Sequence, residues 1–245
     1  MRWLTLVLLL LPVWPRVLLA QTARVEPDHV FVFVSTGGEA EAEALRALGF
    51  RMDSGVMQHA GGGTASRSAV FENFYVELIW VDSTVGVSER SRERFAEMQR
   101  AAAWRSTGVS PFGLGLRKVE GPDEFGVPTT SYTEDWMLAG TSITVLKQAS
   151  EPQAFDIFVV PSYMALPAWI EQVAELGLHA NGARRVSALE IRGPQVHQPE
   201  AIRALSISSV RVTEASEPLL VLELDDRRAG ETHDLRPLIP VVIRR

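Results

Sequence analysis

The order of elements in this chain predicts an α+β fold. Three observations carry that expectation. Residues 28–82 read strand, helix, short strand, strand, strand, with His29 entering the first strand and Glu77 in the middle of the last. Residues 186–245 repeat much of that order without repeating the letters. The run Val30-Phe31-Val32-Phe33-Val34 is apolar on both of its alternating faces, so the first strand is expected to be covered on both.

Each element has its own signal. Gly37-Gly38 ends the first strand, and a helix fits 39–48, where Ala42, Leu45 and Leu48 recur on one side and Gly49 stops it. A short strand is expected at 50–52, then a loop over 53–66 that holds Gly61-Gly62-Gly63. Strands follow at 67–72 and 75–81. A charged helix covers 88–104, with Phe95, Met98, Ala102 and Trp104 as its apolar side. Strands are expected at 112–118, 142–146 and 155–160, with an irregular, turn-rich stretch over 121–132. Pro167 opens a further helix in a favourable first-turn position. The last part reads strand 186–191, helix 199–205, and strands 209–213, 219–224 and 239–244.

The first twenty residues are expected to be a cleaved secretory signal. Arg2 precedes an apolar run from Trp3 to Trp14, and Ala20 offers a small residue for cleavage, with Ala23 as a second choice. The unbroken apolar stretch is shorter than the ~20 residues that span a bilayer, so no stable membrane span is expected after cleavage. The formal charge is −6, and the expected signal carries two arginines and no acid, which leaves residues 21–245 near −8. That balance argues against nucleic acid as a partner. There is no cysteine, so disulfides, thiolate zinc sites and a cysteine-linked lipid are excluded within this sequence.

A carboxylate inside so apolar a strand as Tyr75–Val81 is costly to bury without a partner. A divalent ion such as Zn, Fe, Mn or Ni, shared with His29, is one such partner; a salt bridge to an arginine such as Arg67 is the structural alternative. His59, before the glycine-rich loop, is a candidate third ligand or an ordinary loop histidine. Gly63 and Thr64 sit where backbone amides can approach a ligand closely, and Arg67 can hold a carboxylate. Tyr75 and Trp80, with Phe71, line a pocket or pack the core. Trp136 covers a pocket or plugs one end of a sheet. His233-Asp234 is discounted as a catalytic pair, because adjacent side chains on a regular strand point to opposite faces.

Together, Asp28-His29 before an apolar strand, a helix ending Ala47-Leu48-Gly49-Phe50, His59, the run 62–67 and Tyr75-Val76-Glu77-Leu78-Ile79 resemble the glyoxalase-like branch of the vicinal oxygen chelate superfamily. The resemblance is best over 28–82, and rests on strand order alone over 111–160. It implies βαβββ modules paired into a cupped mixed sheet around a small-molecule site. The glyoxalase-like domain would span 28–165, with module one at 28–82 and module two at about 111–160. A helical linker (166–185) and an additional C-terminal βαβββ-like module (186–245) would follow. The modules would pair within one chain or between the chains of a homodimer. In metal-dependent members a histidine of the first strand and a glutamate of the fourth supply half the ligands of one divalent transition metal, the second module giving the rest from equivalent strands, and His29 and Glu77 fall at the first two places, Glu77 also as the catalytic residue. Module two departs from that pattern. Its strand 112–118 offers Gly113, Gly115 and Arg117, its strand 155–160 offers Asp156 but no glutamate, and Gly121-Pro122 and Gly126 interrupt its helix.

Three functions follow from that reading. The first is an exported metal-dependent lyase or dioxygenase, with Gly63, Thr64, Arg67, Tyr75 and Trp80 around the substrate. The second is a non-catalytic module that binds or sequesters a small molecule, and the third is a scaffold.

Overall fold

The computed structural model describes residues 23–134, 136–147, 155–194 and 200–245. The expected signal segment and the expected start of the helix at Pro199 lie outside the described residues.

Two halves build an eight-stranded sheet. The first half is β1 (Arg24–Phe33), α1 (Glu39–Ala47), β2 (Met57–His59), β3 (Thr64–Val70) and β4 (Tyr75–Val81). A connection carrying α2 (Arg92–Ala102) and α3 (Trp104–Thr107) leads to β5 (Phe112–Glu120), β6 (Thr129–Tyr132), β7 (Ile143–Leu146) and β8 (Asp156–Val160). The strand order is β2-β3-β4-β1-β5-β8-β7-β6. Parallel pairs β1–β4 and β5–β8 flank an antiparallel β1–β5 seam, so the two modules join within one chain. Between β5 and β6 the described residues hold turns and no helix, in line with the glycines and proline there.

Alternation along β1 and β4 fixes two faces. Val30, Val32, Val76 and Leu78 point toward α1, whose Ala42 and Leu45 are buried against them. Fully burying one such aliphatic side chain stabilises by about 1.5–3 kcal/mol, and this face carries many. The opposite face, termed the inner face, carries His29, Phe31 and Phe33 beside Tyr75, Glu77 and Ile79. Helix α2 lies over part of it. Met98, Ala101 and Ala102 pack on Phe31, Phe33, Ile79, Phe158 and Val160, and Arg94 reaches across to Asp156 at 2.7 Å.

The C-terminal part forms a second sheet from β9 (Val186–Gly193), β10 (Val210–Glu214), β11 (Leu219–Leu224), β12 (Thr232–Asp234) and β13 (Val241–Arg244), with α4 (Glu200–Ala204) after β9. Its order is β10-β9-β11-β13-β12. Here β10 lies directly beside β9, parallel to it, whereas in the first half the strand beside and parallel to β1 is the last one, β4. The two regions share an order of elements and differ in pairing.

Several boundaries differ from the sequence reading. The short strand is at Met57–His59, not 50–52. Phe50 and Met52 are buried, but they enter no ladder. The strand expected at 67–72 begins at Thr64, because β2 pairs with Thr64–Ser66. The helix expected from Pro167 is two 3-10 segments, Leu166–Ala168 and Ile170–Gly177, and Val173 leaves helical geometry within the second. β6 and β12 were not expected; both are short and largely exposed, so no hydrophobic alternation marks them.

Candidate functional site

The site begins with an irregularity in β1. The ladder between β1 and β5 slips between Pro27 and His29, leaving Asp28 as a bulged residue. Proline cannot donate to a ladder, and bulges re-aim side chains. Asp28 and His29, which a regular strand would send to opposite faces, therefore meet: His29 Nδ1 lies 3.0 Å from Asp28 Oδ2. The other oxygen of Asp28 accepts the Leu166 N–H at 2.9 Å, and Arg117 stands 3.6 Å from it. Both residues are buried. A carboxylate only accepts, so Asp28 holds a ring proton on Nδ1 of His29.

The His29 ring is held from three sides. It stacks on Tyr75 at 4.4 Å between centroids and meets the edge of Phe158 at 5.4 Å. On the third side is Gly115, where a β-carbon would sit 2.2 Å from the ring. Gly113 admits Phe31 in the same way. Trp169 closes over Tyr75, with centroids 5.3 Å apart. Burial pushes the Tyr75 phenol well above its ordinary range, and the charges of Glu77 and Asp28 add to that shift.

Farther along the same face, Glu77 meets His59. His59 Nε2 lies 3.5 Å from Glu77 Oε1, and its Nδ1 is 2.8 Å from Thr64 Oγ1. Burial raises the Glu77 carboxyl, but the hydrogen bond and charge of His59, the charge of His29 and the Ser66 hydroxyl outweigh it and bring the group to about 2. Glu77 is thus ionised at neutral pH. The side chains of Glu77 and His59 keep 14% and 20% of their exposure, so this flank stays accessible while α2 covers the neighbouring aromatic region. Trp136, exposed, stands beside it, its ring 6.3 Å from that of His59.

The sequence candidates divide by face. His29, His59, Thr64, Tyr75 and Glu77 share the inner face. Arg67 and Trp80 do not. Arg67 pairs with Leu78 in the ladder and holds Glu39 at 3.1 Å on the α1 side, and buried Trp80 packs near Gly38. The salt bridge between Glu77 and Arg67 considered from sequence is therefore not what compensates Glu77. Gly63 serves packing: at φ +70°, a β-carbon there would lie 2.4 Å from the Phe95 ring of α2. Asp28, Ser66 and Trp169 received no role from sequence. Only Asp28 had a signal, a proline before it and a histidine after it.

The fit to a resident metal is incomplete. His29 carries the carboxylate that metal-binding histidines use to fix their tautomer. Yet among the described residues no three histidine, aspartate or glutamate side chains converge to hold an ion. Strand β5 of module two supplies Gly113 and Gly115, and the acid of β8, Asp156, is taken by Arg94. Among the described residues the donor set falls short of a complete metal site.

A two-module sheet of this order, with a histidine on β1 and a glutamate on β4 of one face, defines a vicinal oxygen chelate protein. The model of the glyoxalase-like domain family matches residues 28–205, and the chain belongs to that family. A solved structure described as a hypothetical protein from Staphylococcus aureus shares the fold, with a TM-score of 0.51 at 7% identity over 90% of this chain and 98% of that one. Comparison with curated proteins found no match.

Proposed function

We propose that this protein binds a small organic molecule on the inner face, with ionised Glu77 and His59 as the polar anchors and Tyr75 and Trp136 as neighbouring aromatic surface. One observation carries this reading: a buried-strand acid and a histidine stand side by side on a flank of that face where both keep partial access to solvent. A ligand there finds an acceptor in Glu77, the polar edge of His59 and apolar contact around them, the mixture usual in small-molecule sites. Thr64 and Ser66 both hold His59, at 2.8 and 3.4 Å from its two ring nitrogens.

A thermal-shift screen with small carbonyl compounds, phenols and hydrophobic antibiotics tests the proposal. A ligand of this site raises the melting temperature of the wild type in a concentration-dependent way, and that rise shrinks in His59→Ala. A screen with no rise for any class favours the scaffold.

A second reading, a metal-dependent lyase or dioxygenase, is supported by the Asp28–His29 pair and by the common face of His29, His59 and Glu77. Metal analysis of the purified protein separates the two. One transition ion per chain, lost in His29→Ala, supports the enzyme. Export after cleavage near Ala20 belongs to the same proposal and rests on the apolar leader. Among the described residues no helix is long and apolar enough to cross a membrane.

A further inference from the structure

Two cavities lie away from the Glu77–His59 flank. They lie where the eight-stranded sheet meets the C-terminal sheet, with volumes of about 480 and 250 Å³, and both are bordered by Asn73, Arg117 and Arg185. The larger falls in the size range of small-molecule sites.

Three features distinguish the larger cavity from a packing defect. First, it is walled by a strained turn. Asp225, Asp226 and Arg227 all adopt left-handed backbone angles, with φ of 50°, 55° and 61°, and none is glycine. Such conformations cost free energy and persist where surrounding contacts impose them, often at ligand clamps. Here the Asp225 carboxylate accepts the N–H groups of Arg184 and Arg185, and Asp226 N–H donates to Ser187 Oγ. Second, its seam is fixed. The Asn73 side chain both donates to and accepts from the backbone of Val186, tying the two sheets together at the cavity wall. Third, its cations are unequally matched, Arg228 among them holding Asp226 of the turn at 3.3 Å. Arg117 is fully engaged by Glu26, Pro27 and Asn73, at 2.8–3.1 Å. Arg185, by contrast, shares Glu72 with Arg184, at 3.5 and 3.7 Å, and its side chain is 58% exposed. Charge-assisted pairs of full strength lie near 2.7–2.9 Å. Arg185 is therefore a guanidinium with a loose partner at the mouth of a polar cavity.

We propose that the cleft between the two sheets is a second ligand site, for a small-molecule carboxylate held by Arg185, with Ser187 and Asn73 beside it. The site is distinct from the Glu77–His59 flank and independent of the function proposed there, although Arg117, which borders the cavity, also stands 3.6 Å from Asp28. A carboxylate suits it because a planar guanidinium takes one in two parallel hydrogen bonds, and because Glu72 already occupies Arg185 with an acid at long range.

The test is a titration of isotope-labelled full-length protein with succinate, L-glutamate and acetate, followed by amide NMR. The expected result is a saturable shift of the backbone amides of 184–188 and of the Asn73 side-chain amide with at least one of the three, at a dissociation constant of about 10 mM or tighter. Arg185→Gln should weaken that binding at least tenfold, and His59→Ala should leave it unchanged. Ser209→Trp, which fills the cavity from its other wall, should abolish it. No saturable shift with any of the three, shifts confined to the inner face, or unchanged binding in Arg185→Gln would each overturn the proposal.

Discussion

His59 Nε2 stands 3.5 Å from Glu77 Oε1, joining the edge strand β2 to β4 across β3. That pair keeps the acid ionised inside an apolar strand, and its effect on stability has a definite sign. The folded Glu77 carboxyl lies near 2, below its ordinary 4.5. A depressed value contributes stability that is present above about 4.5 and is lost as the pH falls through about 2. Glu77→Gln should therefore lose roughly 1–2 kcal/mol at pH 7. It should also show a flatter decline than the wild type between pH 4.5 and 2, measured by urea unfolding across that range. Parallel acid limbs in the two proteins would contradict the assignment.

Gly115 should not tolerate a side chain. Its β-carbon would meet the His29 ring at 2.2 Å, and the ring is pinned by Tyr75 on another side. Gly115→Ala is expected to cost about 1–3 kcal/mol, read as a lowered denaturant midpoint. It should also move the His29 ring resonances in NMR.

Asp28→Ala and Asp234→Ala should differ sharply, although each acid adjoins a histidine. Removing Asp28 strips partners from the buried His29 Nδ1 and the Leu166 N–H, a loss of roughly 3 kcal/mol. Asp234 is solvent-accessible and serves Arg236, while His233 turns to Glu231. Its removal should cost well under that, about 1 kcal/mol or less. Thermal or chemical unfolding of the two variants side by side checks the contrast.

That contrast also shows what was legible in the sequence. The rule that neighbours on a strand face apart correctly separates His233 from Asp234. The same rule would have separated Asp28 from His29, had the bulge after Pro27 not intervened, and one proline is too weak a signal to place a bulge. Strand period alone could have set Trp80 apart from Glu77, since it lies an odd number of residues along β4; placing Arg67 needed the register, which ladders it to Leu78. The module order and the face shared by His29 and Glu77 follow from local pattern and family resemblance. Long-range choices were not legible. These include the partner of Asp156, the seating of α2 on the aromatic floor and the pairing of β10 with β9, each decided by tertiary packing.

Arg94 holds α2 down through Asp156. Arg94→Ala should free one end of that cover and leave Asp156 without its cation, costing about 1–3 kcal/mol. Hydrogen exchange should quicken in α2 and in the inner-face strands β4 and β8, and stay unchanged in the C-terminal sheet. Equal acceleration in both sheets would mean that the ion pair supports global stability and not the local cover.

The most direct test of the inner-face reading is isothermal titration of the strongest ligand from the thermal-shift screen into chelator-treated wild type and Glu77→Gln. Metal-independent binding in the wild type, weakened at least tenfold in the variant, is the predicted result. Full affinity in Glu77→Gln would contradict it, as would binding lost on chelation and restored by one equivalent of a transition metal.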